Sequence, residues 1–305
     1  MNEQKILLFG RTGQVGSEVE KCLAPHFSMV ALDRNSSNFC GDLSELNGIY
    51  KTIQRVKPTC VINAAAFTGV DDAENQEKLA TRINAEAVEV MAKGAKELNA
   101  LFVHYSTDYV FDGSGEQYRD EDAVPSPINT YGESKLVGEK YILGSGCRHF
   151  IFRTSWVYSI SGKNFIKTIL KLAKEKTELS VVSDQVGAPT SATLIAEVTA
   201  YSLSKSLIDR TLGGVYNLVA RGETNWCDYA RLIVSVARQL DDSVGLSPDA
   251  IAGIRSENYK TPAVRPLNSR LSTAKLEHDL GIKLPRWDDG VMDAVTTLLS
   301  SGKHI

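Results

Sequence analysis

The chain lacks the marks of several protein classes. Its five cysteines, Cys22, Cys40, Cys60, Cys147 and Cys227, are scattered, odd in number and never spaced C-x-x-C, which argues against a disulfide framework and for a reducing compartment. No apolar run reaches the roughly 20 residues a membrane-spanning helix needs. Charge of one sign is not in excess: 34 Lys and Arg stand against 37 Asp and Glu, a net −3, without the basic footprint of a nucleic-acid or polybasic membrane binder. Repeats and low-complexity tracts are missing, and no His/Asp/Glu cluster has metal-ligand spacing. A strand the fold needs begins within four residues of the N-terminus, leaving no room for a signal peptide, so a cytoplasmic protein with neither membrane nor nucleic-acid partner is expected. What remains is ordinary globular composition, 43% apolar and 23% charged over 305 residues, long enough for one large domain or two smaller ones.

The informative stretch is Gly10-Arg11-Thr12-Gly13-Gln14-Val15-Gly16. It follows the apolar run Ile6-Leu7-Leu8-Phe9 and opens a helix-compatible segment near Gln14. Strand, glycines, helix is the order of a dinucleotide-binding turn. Gly10 permits the tight turn, Gly13 the approach of a pyrophosphate, and Gly16 the packing of helix on sheet. The helix N-terminus offers free N–H groups to phosphates. The spacing G-x-x-G-x-x-G, rather than G-x-G-x-x-G, fits the short-chain dehydrogenase/reductase branch. A second run, Met29-Val30-Ala31-Leu32, ends in Asp33, well placed to bind a ribose diol.

Helical spacing of Leu46, Ile49, Tyr50, Ile53 and Val56 predicts a helix closed by Pro58. The strand Cys60-Val61-Ile62-Asn63 runs into Ala64-Ala65-Ala66, either a packing turn or a place for backbone to approach a flat cofactor. Another helix carries Ile83, Val88, Met91, Ala92, Ala95 and Leu98 inward, and the strand from Leu101 to Tyr105 delivers Ser106, Thr107 and Asp108 at its carboxyl end, where ligands bind in open α/β sheets. Four strand-helix alternations predict an α/β fold with a doubly wound parallel sheet. The polar loop 112–127 is long enough to wall a site.

Asn129 caps the predicted helix bearing Tyr131 and Lys135, which share a face at i, i+4. Composition alone yields about one Tyr-x-x-x-Lys by chance, and a second pair stands at Tyr201 and Lys205. Context separates them: Tyr131 follows the strand end with Thr107, whereas Tyr201 sits in an amphipathic helix over 194–203. Further on, Phe150 to Arg153 reads as a strand leading to Thr154-Ser155-Trp156, 164–174 as a helix, 214–219 as a returning strand of the main sheet, and 226–240 as a helix. The polar segment 259–271, with Arg265, Asn268, Ser269 and Arg270, is either a solvated loop or a clamp for a substrate diphosphate.

Together GRTGQVG, STDYVF, YGESK, FRTSWVY, DQVGAPT and RPLNSRL resemble the dTDP-4-dehydrorhamnose reductase family of extended short-chain dehydrogenases/reductases, over nearly the whole chain. The resemblance implies a Rossmann domain over 1–158 and 191–220 and a smaller α/β substrate domain over 159–190 and 221–305. It implies NADPH- or NADH-dependent reduction of the C4 ketone of dTDP-4-dehydro-β-L-rhamnose, in surface-polysaccharide synthesis. By position, Gly10, Thr12, Gly13, Gln14, Val15 and Gly16 would hold the pyrophosphate, Asp33 the ribose, Asp42 and Leu43 the adenine, and Ala64, Ala65, Ala66 and Thr68 the nicotinamide half. Tyr131 and Lys135 match the catalytic pair, Thr107 and Asp108 match substrate-contacting positions, and Trp156 matches the residue packing against the sugar. A homodimer is implied, and for some members a Mg ion between subunits, for which this sequence has no ligand cluster.

Chemically, reduction of a ketone leaves charge on oxygen and calls for a proton donor and hydrogen bonds aimed there. Tyr131 is the expected donor, its pKa lowered toward working pH by the Lys135 ammonium. Lys135 is also expected to bind the nicotinamide ribose, Thr107 to orient the ketone, and Arg265 and Arg270 to bind the diphosphate. Asp33 favours a free 2′-hydroxyl and Arg34 accommodates a 2′-phosphate, so both nicotinamides are expected to work. Competing readings are a reductase, epimerase or dehydratase of another nucleotide sugar, and a non-catalytic NADP-binding regulatory subunit like that of methionine adenosyltransferase. The presence of Tyr131, Lys135 and Thr107 argues for chemistry.

Overall fold

The short apolar runs become strands because both faces are covered. In β1 (Lys5–Phe9), Ile6 and Leu8 point to one side of the sheet and Leu7 and Phe9 to the other, and all four are buried. A run buried on both faces reads as continuous rather than alternating, as in parallel sheets. The computed structural model describes residues 4–300. After β1 come α1 (Gln14–Leu23), β2 (Ser28–Leu32), α2 (Leu46–Val56), β3 (Cys60–Asn63), β4 (Leu101–Thr107) and β5 (His149–Thr154). With the strand Gly214–Asn217 they form a six-stranded parallel sheet, ordered from that strand through β5, β4, β3 and β1 to β2.

Helix α1 and the helix Ala192–Ile208 cover one face, packing Val19, Leu23, Ile195 and Leu203 onto Ile6, Leu8, Ile62 and Val103. Helices α2 and Ala87–Glu97 cover the other, through Ile49, Ile53, Val88 and Met91 on Leu7, Phe9, Val61 and Phe102. The expected doubly wound sheet is therefore present, and the returning strand is its outer edge, parallel to β5. The chain enters β1, moves to β2 on one side and crosses to β3 on the other. That reversal opens a crevice outside the carboxyl ends of β1 and β3, where ligands bind in such sheets.

Where the spacing of Ile83, Val88, Met91, Ala92, Ala95 and Leu98 predicts one long helix, the chain makes the short helices Val70–Asn75 and Glu77–Thr81, a π turn at Arg82–Glu86, and then Ala87–Glu97. The extra residue of the π turn frees Asn84 for contacts inward. Its amide accepts from Phe67 N (2.8 Å) and donates to Phe67 O (3.0 Å) and Ser134 Oγ (3.0 Å), joining the loop after β3 to the helix Thr130–Ser145. Such turns often accompany functional sites.

Outside the main sheet the described residues form three two-stranded pairings, Leu179–Val182 with Ile251–Ile254, Val186–Gly187 with Thr224–Asn225, and Val157–Tyr158 with Thr190–Ser191. The helix Trp226–Leu240 packs between Phe165–Glu175 and Trp287–Ser300. The segment 259–271 docks on the loop 112–127: Asn268 Nδ2 donates to Gln117 O at 2.9 Å and Asn268 N to Gly113 O at 3.0 Å. No helix among the described residues is long and apolar enough to cross a membrane.

Candidate active site

The glycine turn is shaped by contact with backbone. Gly10 has φ +89, and a Cβ there would lie 2.6 Å from Ala65 N and 2.7 Å from Ala64 C, so the turns after β1 and β3 touch only because Gly10 has no side chain. A Cβ on Gly16 would collide with Gly10 O. Gly13 is the N-cap of α1 with no side-chain capping bond, and no acidic residue sits in the first turn. Orphan N–H groups at a helix N-terminus without a capping oxygen suit an anion.

Between these turns lies a cleft of about 820 Å³. Of the residues expected there, Gly10, Thr12, Gly13, Gln14, Val15, Asp33, Arg34, Leu43, Ala64, Ala65, Ala66, Thr68, Tyr131 and Lys135 line it. Gly16 serves packing instead, and the Asp42 carboxylate turns into its own loop, accepting from Ser44 N (2.9 Å) and Ser44 Oγ (2.8 Å). Among the lining residues that were not expected there, three stand out. Thr154 ends β5 with a buried hydroxyl that has no hydrogen-bond partner, and Ser161 and Gly162 come from a loop tied to the glycine turn by Asn164 Nδ2 donating to Gln14 Oε1 (3.1 Å). An orphaned hydroxyl, a bare helix N-terminus and a carboxylate at the end of β2 fit the carboxamide, pyrophosphate and ribose of a nicotinamide dinucleotide.

Asn129 caps the helix Thr130–Ser145 as expected, its Oδ1 accepting from Gly132 N at 2.8 Å. Gly132 lies against Tyr109 O, which seats this helix on the turn after β4. Tyr131 thereby packs edge-on against Tyr109 (5.6 Å) and shares a hydrogen bond with the Thr107 side chain. Burial pushes its phenol well above the usual range, outweighing that bond, with the Asp108 charge adding to the rise. The expectation of a Tyr131 acidified by Lys135 is therefore corrected: burial prevails, and Lys135 is engaged elsewhere. Thr107 Oγ1 donates to Asp108 Oδ1 (3.1 Å) and accepts from Tyr109 N (3.1 Å). Asp108 is buried, with its carboxyl pushed up to about 6 by desolvation and Oδ2 lacking a hydrogen-bond partner.

The Lys135 side chain reaches β4. Its Nζ lies 2.6 Å from Tyr105 O and 3.1 Å from His104 Nε2, and Asn63 Nδ2 lies 3.2 Å from His104 Nδ1. Burial pulls Lys135 down to about 8, with Glu139 pulling the other way, and holds His104 neutral, well below its ordinary 6.5. Glu139 is buried against Arg153, whose Nη2 and Nε donate at 2.7 and 3.0 Å, and it also accepts from Ser106 Oγ. His104 and Asn63 sit in runs that read as plain strand, so only the pairing of β3 with β4 reveals their contact. The second Tyr-x-x-x-Lys pair lies on an outer surface, Lys205 over the ring of a 38% exposed Tyr201.

On the substrate side, Trp156 has φ 47, a strained value for a bulky residue, and its ring stacks on Trp226 at 3.8 Å and 17°. Trp226, read only as helix, donates from Nε1 to Gln185 Oε1 (3.1 Å). The ring edge of Trp156 meets Gly187, where a Cβ would come within 2.9 Å. Arg265 pairs with Asp71 (2.7 Å) and Arg270 with Glu223 (2.6 Å). Each guanidinium already has a carboxylate partner, so a phosphate would have to compete for it. Thr107, Asp108, Trp156, Arg265 and Arg270 are not among the residues lining the cleft.

A doubly wound parallel sheet, a G-x-x-G-x-x-G turn after β1, and a Tyr-x-x-x-Lys helix facing the same cleft make up the architecture of the extended short-chain dehydrogenases/reductases. Within that class the chain belongs to the family described as RmlD substrate binding domain, whose model matches residues 4–300. It is 46% identical over 296 residues to dTDP-4-dehydrorhamnose reductase of Salmonella typhimurium, covering 97% of this chain and 98% of that one. A crystal structure of a dTDP-4-dehydrorhamnose reductase from Clostridium acetobutylicum matches with TM-score 0.86 at 32% identity, covering 96% of this chain and 99% of that one. The Bacillus anthracis enzyme of the same name, in complex with NADP, matches with TM-score 0.86 at 30% identity, covering 97% and 99%.

Proposed function

We propose that this protein reduces the C4 ketone of dTDP-4-dehydro-β-L-rhamnose to dTDP-L-rhamnose with NADPH or NADH, as a step in surface-polysaccharide synthesis. Similarity to reductases of that name over nearly the full chain supports the substrate. The observation carrying the chemistry is that Tyr131 and Lys135 line the dinucleotide cleft together.

The cofactor residues are Gly10, Thr12, Gly13, Gln14, Val15, Asp33, Arg34, Leu43, Ala64, Ala65, Ala66 and Thr68, to which we add Thr154. The nicotinamide, when bound, supplies the hydride. Arg34 lines the cleft near Asp33, and among the described residues it has no carboxylate partner, which supports use of a 2′-phosphate as well as a free 2′-hydroxyl. Tyr131 gives its proton to the developing alkoxide; the phenol is protonated at neutral pH, and the alkoxide is the stronger base. Thr107 turns its hydroxyl from Asp108 to the ketone oxygen and orients it. Asp108, with a buried oxygen lacking a partner, accepts a sugar hydroxyl. Trp156, backed by Trp226, supplies an apolar wall for the sugar, and Arg265 and Arg270 the diphosphate contacts.

On this reading 1–158 and 191–220 hold the cofactor and 159–190 with 221–305 the nucleotide sugar, apart from Ser161 and Gly162, which reach the cofactor cleft. It extends to a homodimer, which rests on the resemblance, and to a cytoplasmic location, which rests on the scattered, odd-numbered cysteines. The test is oxidation of NADPH and of NADH, followed by absorbance, on adding dTDP-4-dehydrorhamnose to the wild type and to Tyr131→Phe. The expected result is turnover by the wild type and a loss of about two orders of magnitude or more in the variant. Equal rates would remove Tyr131 from its role, and a wild type that binds cofactor without consuming it would remove the substrate.

A further inference from the structure

Lys135 is held from behind by a chain of side chains whose donors and acceptors can be assigned. Ala65 N donates to Asn63 Oδ1 at 3.1 Å, which fixes the amide with Nδ2 toward His104 Nδ1, 3.2 Å away. An amide nitrogen only donates, so Nδ1 is the accepting nitrogen and the ring proton is on Nε2. That N–H points at Lys135 Nζ, 3.1 Å away. An ammonium also only donates, so it meets the Nε2–H with no bond to make. The neutral amine accepts with its lone pair and still donates to Tyr105 O at 2.6 Å. The opposite tautomer would accept from an ammonium, but only if Asn63 turned its amide over and released Ala65 N in the cleft wall.

We propose that His104 and Asn63 are positioning residues that set the charge state of Lys135, with Asn63 fixing the ring tautomer and His104 favouring the neutral amine. This rests on the reading of Tyr131 and Lys135 as the working pair. Titratable groups lie on each element neighbouring Lys135: Tyr131 and Glu139 on its own helix, Tyr105 on β4 with its hydroxyl on Thr199 Oγ1, Asp108 on the turn after it, and Arg153 on β5 held by Glu139. Glu139 favours the charged form, but its carboxylate is held by Arg153 and Ser106. The π turn contributes Asn84, which carries no charge. Among these groups, His104 is the one whose bond to Nζ depends on which partner holds the proton.

The experiment is an NMR pH titration of the protein carrying ¹³Cε-lysine, with the Lys135 signal assigned by its loss in Lys135→Arg. In the wild type the midpoint is expected near 8. In His104→Gln the amide oxygen can turn to accept from the ammonium, so the midpoint should rise by one unit or more, about a tenfold change in protonation at a given pH. The pH dependence of kcat should move in the same direction. If His104→Gln does not fold, Asn63→Ala replaces it, since it frees the ring to carry its proton on Nδ1 and should also raise the midpoint. An unchanged midpoint in a folded variant, or a wild-type lysine titrating at its ordinary value near 10.4, overturns the proposal. The titration needs no substrate, so failure to consume NAD(P)H would sink the functional reading without deciding this one.

Discussion

The Glu139–Arg153 pair gives the most quantitative stability prediction. Both side chains are almost wholly buried, at 1% and 4% exposure, and their contacts are 2.7, 3.0 and 3.2 Å. Arg153 also lies over the Phe111 ring at 5.2 Å. Removing one member of such a pair leaves a charge in a low-dielectric site with no partner, which costs about 3–5 kcal/mol. Replacing both with apolar groups of similar volume removes the desolvation cost with the attraction and is expected to be close to neutral. Thus Glu139→Gln should destabilise strongly, whereas Glu139→Leu combined with Arg153→Met should recover most of the loss. At about 2.1 cal/mol/K of unfolding entropy per residue over 305 residues, the single substitution should lower Tm by about 5–8 °C. Calorimetry and urea denaturation of wild type, both single variants and the double variant make the measurement. A loss under 1 kcal/mol in both singles, or a double variant no better than the worse single, would refute the argument that burial governs this pair.

Three further outcomes follow from local geometry. Gly10→Ala places a methyl against the Ala64–Ala65 backbone at φ +89; it should cost about 2 kcal/mol or more and abolish NADPH binding, read by fluorescence titration. Asp108→Asn should stabilise the protein above pH 6 and not below pH 3.8, because the native carboxyl titrates at about 6 instead of 3.8 and its ionisation in the fold is penalised only once the unfolded chain can ionise. The gain at neutral pH is about 3 kcal/mol, measured by denaturation at both pH values; a uniform effect across pH would show that the charge is not the cause. Trp226→Ala removes the stacking partner of Trp156 and should raise KM for the nucleotide sugar about three- to tenfold while leaving KM for NADPH unchanged.

The order of strands and helices and the glycine turn were legible in the amino-acid sequence because they are written in neighbouring residues. Apolar runs covered on both faces, helical spacing, Asn129 before its helix, and Gly10 at a positive φ are local facts with local signatures. They sufficed for the doubly wound sheet and for part of the cleft lining, Gly10, Gly13, Asp33, Arg34, Ala64 to Ala66, Tyr131 and Lys135, whereas Thr12, Gln14, Val15, Leu43 and Thr68 came from the resemblance of the motifs to the family. The π turn at Arg82–Glu86 was not legible, since its apolar residues keep the spacing of one helix and the bulge is stabilised by Asn84 reaching Phe67 and Ser134.

What tertiary structure decided were the partners. His104 and Asn63 become neighbours through strand pairing, Arg265 meets Asp71 across 194 positions of sequence, and Arg270 meets Glu223 across 47. The protonation of the Tyr131–Lys135 pair also belongs there. Spacing puts the two side chains on one face of a helix, but desolvation raises the phenol, and the partners of Nζ come from β4. Hydrophobic periodicity is a property of sequence neighbours, so it reads out directly. Desolvation and hydrogen bonding depend on whatever the fold brings within about 3 Å, and that is set by the packing of the whole chain.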